Sequence, residues 1–472
     1  MFIYSTRDAV EKEMEMVNSM KRNGSECRNS GWTTRRMFLQ VSVTGAAAFS
    51  VPFYVPRGVM AEGIGTARRP GANERISIAA IGIGRQGSGV FAAVASDRRT
   101  TPVAICDVWK NRAVAEAAKY LLTEDAVTGD YRRVIDRRDV DAIMTATPEH
   151  WRSLVCVNAA LAGKHLYVEK PITLTIDDGK RMRAAARKTG ICFQCGSMQR
   201  SYVENFLGCQ FIREGGLGKI LEVEAANYES PWCGALPGEP MPDGLDWEMW
   251  CGPTEFVPFH SQLFTPRGNP GWLSFRPYSG GEMTGWGTHG FDQIQCALGL
   301  DDTGPVEIMV EGDRLDPPTY DRPENADRGN KICSQPRLAW RYASGLVVRL
   351  GDRANRGGGI FVGEKGKMEI FRGRIASNPT ELAEEYQKQY ADLKLPAHTT
   401  NWIDCIYSGE RPLGDLETGI RTASICHILN IARYLGRNLK WDPAAERFIN
   451  DDEANTLLAR QHRRGYELPE TV

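Results

Sequence analysis

The sequence has no excess of charge of one sign and no long uninterrupted hydrophobic segment. Its 58 lysines and arginines are matched by 59 aspartates and glutamates, which leaves a formal net charge of −1. This balance gives no general attraction to nucleic acid or to anionic lipid. The most apolar stretch, within residues 37–61, is too broken and too rich in small residues to span a membrane stably. Internal repeats and low-complexity tracts are absent as well.

The twelve cysteines have no spacing typical of a zinc site, and they are too thinly spread for a disulfide framework. Several, such as Cys106 and Cys426, lie within apolar segments, which favours buried free thiols. Cys192 and Cys195 form a C-x-x-C sequence, but ICFQCG has the pattern of a strand. A redox pair needs a cysteine of low pKa at a helix N-terminus. We therefore expect neither a metal site nor a redox-active disulfide.

Residues 1–61 have the order of an export signal. Arg35 and Arg36 precede the apolar residues 37–39 and a weakly apolar core, which resembles a twin-arginine signal. The Val-Met-Ala sequence that ends at Ala61 suits a signal peptidase, so cleavage is predicted after Ala61 and the mature protein is expected in the periplasm. The twin-arginine export machinery is then a partner. The alternative is an accidental arginine pair in an unstructured leader, and translation starting at Met20 stays open.

Short apolar strands alternate with helices from Arg75 to about Gly196. Strands are predicted in RISIAAIG, VAICD, DAIMTATP, HLYVEK and ICFQCG, and helices over 85–96, 109–122, 150–162 and 175–190. Continuous apolar strands separated by helices are typical of a parallel sheet that is covered on both faces. The sequence therefore predicts an α/β protein whose domain 75–197 is a Rossmann-type doubly wound parallel sheet.

The pattern changes after Ser201. A helix over 202–214 and the strand KILEVEAANY precede a segment rich in proline and tryptophan that extends to residue 280, a length that indicates a functional surface. After a helix over 286–299, hairpins are predicted with turns at Ser344-Gly345 and Lys365-Gly366. This indicates an α+β domain with a mostly antiparallel open sheet. Its predicted bounds are 198–395, and C-terminal helices (399–408 and 417–436) and a polar tail make up 396–472.

The sequence GIGRQG, residues 82–87, lies between a predicted strand and a predicted helix. The first glycine allows a tight turn, the second lets a pyrophosphate approach the backbone, and the third lets helix and strand pack. The phosphate charge would meet the helix N-terminus. Asp107 ends the next strand about 20 residues on, where a carboxylate binds ribose hydroxyls and repels a 2′-phosphate. We predict a dinucleotide site that prefers NAD over NADP, formed by Gly82, Gly84, Arg85, Gln86, Gly87 and Asp107.

Glu169, Lys170 and Pro171 follow another predicted parallel strand, at the edge where open sheets bind their ligands. A lysine there can protonate or hydrogen-bond an alcohol oxygen while Glu169 holds it in place. Taken alone, this tripeptide is also typical of a solvated surface turn.

Four stretches carry a resemblance to a known family. ATPEHW (146–151), AGKHLYVEKP (162–171), LDWEMWCGP (245–253) and GWGTHGFD (285–292) resemble the Gfo/Idh/MocA family of glucose–fructose oxidoreductase and inositol dehydrogenase relatives. The similarity extends from about Arg75 to the C-terminal region. It implies a Rossmann domain and an α/β domain whose open sheet often mediates oligomerisation, so a homo-oligomer is one expectation.

The resemblance also implies a cofactor role for particular residues. Lys170 is expected to face both nicotinamide and substrate. Thr147 and Pro148 are expected beside the nicotinamide ribose, with His150 just after them.

On the substrate side, the catalytic histidine of the family corresponds to His289 and its helix partner to Asp292. Many dehydrogenases of the family have an aspartate four residues before that histidine, and this chain has Gly285. The usual Asp–His dyad is therefore absent, so Tyr228 is a further candidate for proton transfer or substrate contact. Trp232 is a candidate for stacking on a sugar face, and core packing is the alternative.

Three functional hypotheses follow. The first is an NAD(P)-dependent oxidoreductase that acts on a sugar, cyclitol or derived polyol, with Lys170 and His289 handling the hydroxyl proton. The second is an exported enzyme that keeps NAD bound and recycles it in redox-neutral chemistry, such as glycoside cleavage by oxidation and elimination, epimerisation, or coupled sugar oxidation and reduction. The third is a non-catalytic protein that binds NAD or carbohydrate.

Overall fold

The computed structural model describes residues 70–71, 74–226, 228, 233–265, 271–317, 319–321 and 335–469. The predicted leader, its arginine pair and the cleavage site after Ala61 lie outside these residues, and so does Trp232. Within the described ranges, no helix is both long enough and apolar enough to cross a membrane.

The first domain contains one parallel sheet. Its strands are β1 (Ile76–Ile81), β2 (Thr100–Cys106), β3 (Val127–Thr128), β4 (Ala142–Thr145), β5 (His165–Val168) and β6 (Phe193–Cys195). They are arranged in the order β3-β2-β1-β4-β5-β6, and every pair is parallel. The predicted doubly wound Rossmann sheet is confirmed.

The helices of this domain cover both faces of the sheet and bury two apolar clusters, one on each side. They are α1 (Arg85–Ala95), α2 (Lys110–Ala118), α3 (Tyr131–Ile135), α4 (Glu149–Leu161) and α5 (Ile176–Thr189), with short 3₁₀ turns at Glu124–Ala126 and Met198–Ser201. Burial on both faces explains why the strands are continuously apolar.

The second domain contains a nine-stranded sheet and a separate strand pair. Its strands are β7 (Ile220–Ala226), β8 (Cys233–Gly234), β9 (Glu307–Glu311), β10 (Thr319–Tyr320), β11 (Arg337–Arg341), β12 (Val347–Gly351), β13 (Gly358–Gly363), β14 (Gly366–Phe371), β15 (Arg374–Asn378), β16 (Leu439–Asp442) and β17 (Arg447–Phe448). The large sheet has the order β15-β14-β13-β7-β12-β11-β9-β16-β17, and only β12 and β7 pair in parallel. The predicted mostly antiparallel sheet is confirmed.

Further helices follow in the chain, and several of them pack on the nine-stranded sheet. They are α6 (Val203–Arg213), α7 (Trp247–Cys251), α8 (Ser261–Phe264), α9 (Glu282–Gly285), α10 (Gly287–Leu298), α11 (Glu381–Gln389), α12 (His398–Ser408), α13 (Leu416–Leu435) and α14 (Asp452–Thr456), with a 3₁₀ turn at Trp272–Ser274. The hairpin β11–β12 has its predicted turn. The β13–β14 loop lies one residue earlier than predicted, because Gly366 already pairs with Gly363.

The C-terminal part of the chain joins the two domains. Trp402 and Ile403 of α12 pack into one apolar cluster of the Rossmann sheet, and Leu416 and Ile420 at the start of α13 pack into the other. Strand β16 then pairs with β9 of the second sheet. The region predicted as helices and tail therefore contacts both sheets.

The proline- and tryptophan-rich segment is held by its own aromatic cluster. Trp247 and Trp250 stack with ring centroids 4.3 Å apart and planes 8° from parallel, and both side chains are buried. Trp272 and Phe259 belong to the same cluster. These tryptophans pack in a core.

Candidate active site

The glycines of the turn after β1 leave an open face beside the start of α1. Gly82 has φ +80°, and a Cβ there would lie 2.8 Å from the backbone nitrogen of Thr147. A Cβ on Gly87 would lie 2.1 Å from the carbonyl oxygen of Gly82. At Gly84, by contrast, a Cβ would meet only the Arg112 guanidinium, at 3.8 Å. The turn is closed where helix and strand pack and open where a pyrophosphate would approach, which fits a dinucleotide.

Helix α1 begins at Arg85, directly after this open face, and has no acidic residue in its first turn. Its backbone N–H groups therefore offer positive potential without a competing carboxylate. Arg85 and Gln86 are exposed. The Gln86 amide donates a hydrogen bond of 3.2 Å to Glu169, so the side chain connects the turn with the Lys170 segment.

Asp107 directly follows β2, and its carboxylate is hydrogen-bonded to the backbone of the Gly82–Gly87 turn. One carboxylate oxygen accepts from the Ile83 N–H at 2.8 Å, and the other accepts from the Trp109 N–H at 2.9 Å. Burial raises the pKa of Asp107, while the charge of Arg112, 3.6 Å away, opposes this. The sequence analysis did not single out Arg112. Its guanidinium lies over the rings of Trp109 and Phe264, and Phe264 is too distant in sequence for spacing to reveal the contact.

Thr147 and Pro148 connect β4 to α4. The Thr147 hydroxyl lies 3.2 Å from that of Thr145, and its carbonyl accepts a hydrogen bond of 2.9 Å from Arg152. His150, one turn further, lies against the second domain. Its Nε2 is 2.9 Å from the carbonyl oxygen of Trp250, and burial lowers its pKa to about 4. The imidazole is therefore neutral at neutral pH.

Lys170 lies at the carboxyl end of the sheet, between the two domains. Its ammonium donates a hydrogen bond of 2.9 Å to the carbonyl oxygen of Gly285. The neighbouring Glu169 is buried, which raises its carboxyl pKa, while the charges of Lys170 and Arg152 act in the opposite direction. The Lys170–Pro171 peptide bond is cis.

Gly285 is held in place by a buried carboxylate that the sequence analysis missed. Glu149 accepts hydrogen bonds from the Ser279 hydroxyl at 2.7 Å, the Gly280 N–H at 3.0 Å and the Thr284 hydroxyl at 3.2 Å. Its side chain is completely buried, and burial raises its pKa. A glutamate in the first turn of a helix is usually exposed, so the sequence carried only a weak signal. Glu149 fixes the second domain's 279–285 segment to the Rossmann helix α4.

His289 lies one helical turn beyond Gly285. Helices α9 and α10 are separated only by Trp286, which itself has helical φ and ψ, so the helical path continues from Gly285 to His289. The imidazole is buried, and its centroid is 5.8 Å from that of Trp286. The Lys170 ammonium thus contacts the helical segment at Gly285, and the same segment carries His289 one turn later.

Asp292 is further along α10 and lies in an ion-pair network. The Arg200 guanidinium Nε donates to both Asp292 oxygens at 2.9 Å, and Arg200 also pairs with Asp301 at 2.7 Å. The Thr422 hydroxyl adds a contact of 3.3 Å. Arg200 and Asp301 were not predicted, because their separation from Asp292 along the chain gives no periodic signal.

Tyr228 is fully buried beside the His289 helix. Its ring packs edge-on against Phe291 at 6.0 Å, and its hydroxyl accepts a hydrogen bond of 3.3 Å from the Gly357 N–H. A Cβ on Gly357 would lie 3.3 Å from the Cβ of His289. Tyr228 therefore supports the loop that covers His289.

All ten cysteines in the described ranges are free thiols. In the described ranges, no group of three or more histidine, cysteine, aspartate or glutamate side chains is suited to holding a metal ion.

Two family models cover most of the chain. Residues 76–197 match "Oxidoreductase family, NAD-binding Rossmann fold", and residues 214–468 match "Oxidoreductase family, C-terminal alpha/beta domain" of the same Gfo/Idh/MocA family.

Similar curated proteins match over a shorter stretch. A levoglucosan dehydrogenase of Pseudarthrobacter phenanthrenivorans is 33% identical over 127 residues, which are 27% of this chain and 32% of the relative. A glycosyl hydrolase family 109 protein of Shewanella sp. (strain W3-18-1) is 32% identical over 141 residues, 27% of this chain and 30% of the relative. An alpha-N-acetylgalactosaminidase of Shewanella oneidensis is 28% identical over 171 residues, 34% of this chain and 36% of the relative. The matched part spans about a third of each of these proteins.

Solved structures share the fold over more of the chain. The WlbA dehydrogenase of Bordetella pertussis, solved with NADH and UDP-GlcNAcA, has a TM-score of 0.58 and 18% identity, and the match covers 79% of this chain and 99% of the other. The aldose–aldose oxidoreductase of Caulobacter crescentus, solved with glycerol, has a TM-score of 0.53 and 17% identity over 78% of this chain and 100% of the other. On the family models and the fold together, the chain belongs to the Gfo/Idh/MocA oxidoreductase family, and its first domain is the NAD-binding Rossmann fold of that family.

Proposed function

We propose that the protein oxidises or reduces a hydroxyl-bearing carbon of a sugar, cyclitol or derived polyol, with NAD as the preferred dinucleotide. The observation that carries the proposal is the position of Lys170, at the carboxyl end of β5 with its ammonium held 2.9 Å from the carbonyl oxygen of Gly285. Open α/β sheets bind ligands at this edge. The sugar-related names of the relatives also support this substrate class.

The residues that would hold the dinucleotide are those of the turn and its surroundings. The Gly82–Gly87 turn and the first N–H groups of α1 would receive the pyrophosphate, Asp107 would receive the adenosine ribose, and Thr147 and Pro148 would contact the nicotinamide ribose. His150 is hydrogen-bonded to Trp250 of the second domain, and the Gln86–Glu169 hydrogen bond links the turn to the Lys170 segment. When bound, the nicotinamide supplies reversible hydride transfer.

The chain's own residues handle the proton. Lys170 and His289 would hold or move the proton of the substrate hydroxyl, because a lysine or histidine side chain within hydrogen-bond reach of an alcohol oxygen can accept a proton from it or return one to it in the transition state. The Gly285 carbonyl accepts a hydrogen bond from the Lys170 ammonium, and the charge of the neighbouring Glu169 attracts the ammonium. Asp292 acts as a positioning residue for α10 through Arg200, and Tyr228 positions the loop beside His289.

A panel assay tests this proposal. The purified protein is incubated with NAD and, separately, with NADP, together with hexoses, cyclitols, polyols and glycosides, and reduced nicotinamide and sugar products are both followed. We expect reduced nicotinamide to accumulate with at least one polyhydroxylated substrate and faster with NAD. If no member of the panel is turned over with either dinucleotide, the protein is a non-catalytic binder and the proposal is wrong.

A second candidate is redox-neutral chemistry with a retained cofactor. It is favoured by Gly285, which offers a backbone carbonyl where a side-chain carboxylate would complete a dyad, and by the names of the glycosyl hydrolase family 109 relatives. Export of the folded protein to the periplasm would strengthen this candidate, because free NAD is scarce there.

The same panel separates the two candidates. If the cofactor is retained, protein purified without added nucleotide should contain NAD. It should convert glycosides or sugar pairs without net formation of reduced nicotinamide. Protein that emerges without NAD, and that consumes added NAD stoichiometrically, would rule the second candidate out.

A further inference from the structure

A cavity of about 400 Å³ lies beside the segment that carries Gly285. Its walls come from residues 174–176 after the Lys170 turn, residues 276–277 before α9, one face of α13 and residues 457–460 near the C-terminus. The described residues that line it include none of those assigned above to the dinucleotide or to proton transfer. The volume is in the range of sites for small molecules.

Two arginines on the wall of this cavity have no acidic partner among the described residues. Arg460 donates a hydrogen bond to the carbonyl oxygen of Arg276, and the Arg276 guanidinium lies 4.7 Å from the ring centroid of Tyr434. Neither arginine forms an ion pair with any residue in the part of the chain that the structure describes. Asp178 and Glu149 attract Arg460 only from a distance, and the like charge of Arg276 acts against them. Two neighbouring cations facing a cavity favour an anion between them.

Two polar atoms on the same wall lack hydrogen-bond partners among the described residues. The amide nitrogen of Asn430 donates to the carbonyl oxygen of Gly280 at 2.8 Å, but its Oδ1 accepts nothing, although the side chain is only 5% exposed. The Tyr434 hydroxyl is also without a partner. Buried polar atoms are normally satisfied, so these two indicate a missing donor and a missing polar neighbour.

We infer that the cavity binds a small hydroxylated anion, with a carboxylate or phosphoryl group between Arg276 and Arg460 and a hydroxyl that donates to Asn430 Oδ1. Sugar acids and sugar phosphates have this combination of groups and a suitable size. The site is separate from the dinucleotide turn and from Lys170. It therefore does not depend on which reaction the protein catalyses.

Calorimetric titration of the full-length protein with four probes tests this inference. Glucuronate and glucose 6-phosphate represent the carboxylate and the phosphoryl source, inorganic phosphate lacks the hydroxyls, and glucose lacks the charge. We expect one of the two charged sugars to bind at least about tenfold tighter than both glucose and inorganic phosphate, because each charged hydrogen bond contributes about that factor. Equal binding of glucose and of both charged sugars, or no binding of either charged sugar, would overturn the inference.

Variants locate the bound anion. R276Q and R460Q should each weaken binding about tenfold or more, whereas R337Q, at an exposed position of β11, should not. Arg276 is exposed, so R276Q should fold normally even if R460Q disturbs the C-terminal segment. K170M and saturating NAD should leave the affinity unchanged. Binding that survives R276Q, or that is lost in K170M, would place the anion elsewhere and contradict the inference, whatever the outcome of the activity panel.

Discussion

At the scale of single residues, cofactor choice depends on two opposite charges beside the turn. Asp107 is bonded to the Ile83 and Trp109 N–H groups, and Arg112 lies 3.6 Å from its carboxylate. A carboxylate here repels a 2′-phosphate, whereas an arginine attracts one. The proposed preference for NAD therefore requires that the effect of the Asp107 carboxylate outweigh that of Arg112.

Replacing Asp107 with serine removes the repulsion and leaves Arg112 available. We expect Asp107→Ser to weaken NAD binding by roughly tenfold or more and to reduce or reverse the preference over NADP, since a charged hydrogen bond contributes ~1.5–3 kcal/mol. Fluorescence titration with both dinucleotides measures this. The double variant with Arg112→Gln should lose the gained NADP affinity. A single variant that keeps its full preference for NAD would show that the ribose lies elsewhere.

At the scale of secondary-structure elements, the site depends on how the 279–285 segment is attached to α4. Glu149 accepts three hydrogen bonds from that segment, and the segment in turn supplies the Gly285 carbonyl to Lys170. A side chain in the Rossmann domain therefore positions the second domain's contact with Lys170.

Glu149→Gln tests this attachment. The amide keeps one oxygen acceptor but presents an N–H₂ group to donors, so we expect the free energy of unfolding to fall by about 1–3 kcal/mol. The kcat should fall, while the dinucleotide Kd should stay within about twofold of the wild-type value because the Gly82–Gly87 turn is unchanged. The exposed Glu124→Gln is the matched control. Unchanged kcat in Glu149→Gln would mean that Lys170 does not depend on the segment.

The elements themselves were largely predictable from the sequence, because apolar strands between helices specify a doubly wound sheet and the glycines at 82, 84 and 87 occur in the required strand-to-helix context. The contacts of the site were less predictable. Glu149, Arg112 and Arg200 have partners far away in the chain, and local spacing carries no information on such pairs. Motif reasoning therefore proposes the groups for chemistry but does not find the residues that contact and position them.

At the scale of the whole molecule, three buried histidines make the folded state sensitive to acid. Burial lowers the pKa of His150 and of His398 to about 4 and that of His427 to about 3, from an ordinary value of 6.5. Below about pH 6.5 the unfolded chain takes up protons that the folded chain does not. The contribution of these histidines to stability is thus fully present above pH 6.5 and is lost as the pH falls toward 4 for His150 and His398 and toward 3 for His427.

Urea unfolding across this pH window measures the effect. In His427→Gln one of these protonations is removed, so the decrease in the free energy of unfolding should be shallower by up to ~1.4 kcal/mol per pH unit. The wild-type Thr173–His427 hydrogen bond of 3.0 Å can be replaced by a glutamine amide. If the variant and the wild type lose stability with the same slope, His427 is not held neutral in the fold.

Rapid mixing of the dinucleotide-loaded protein with the substrate that the panel identifies measures how much Lys170 contributes to hydride transfer. Formation of reduced nicotinamide in the first turnover is compared in wild type, Lys170→Met and the exposed control Lys394→Met. We predict that Lys170→Met slows this step by at least ~10²-fold, the usual contribution of a positioned acid–base group, and leaves the dinucleotide Kd unchanged, while Lys394→Met behaves as wild type. The slowing in Lys170→Met is expected whether the hydride stays on the cofactor or later returns to the sugar. Reduced nicotinamide that forms in Lys170→Met at the wild-type rate would contradict the account.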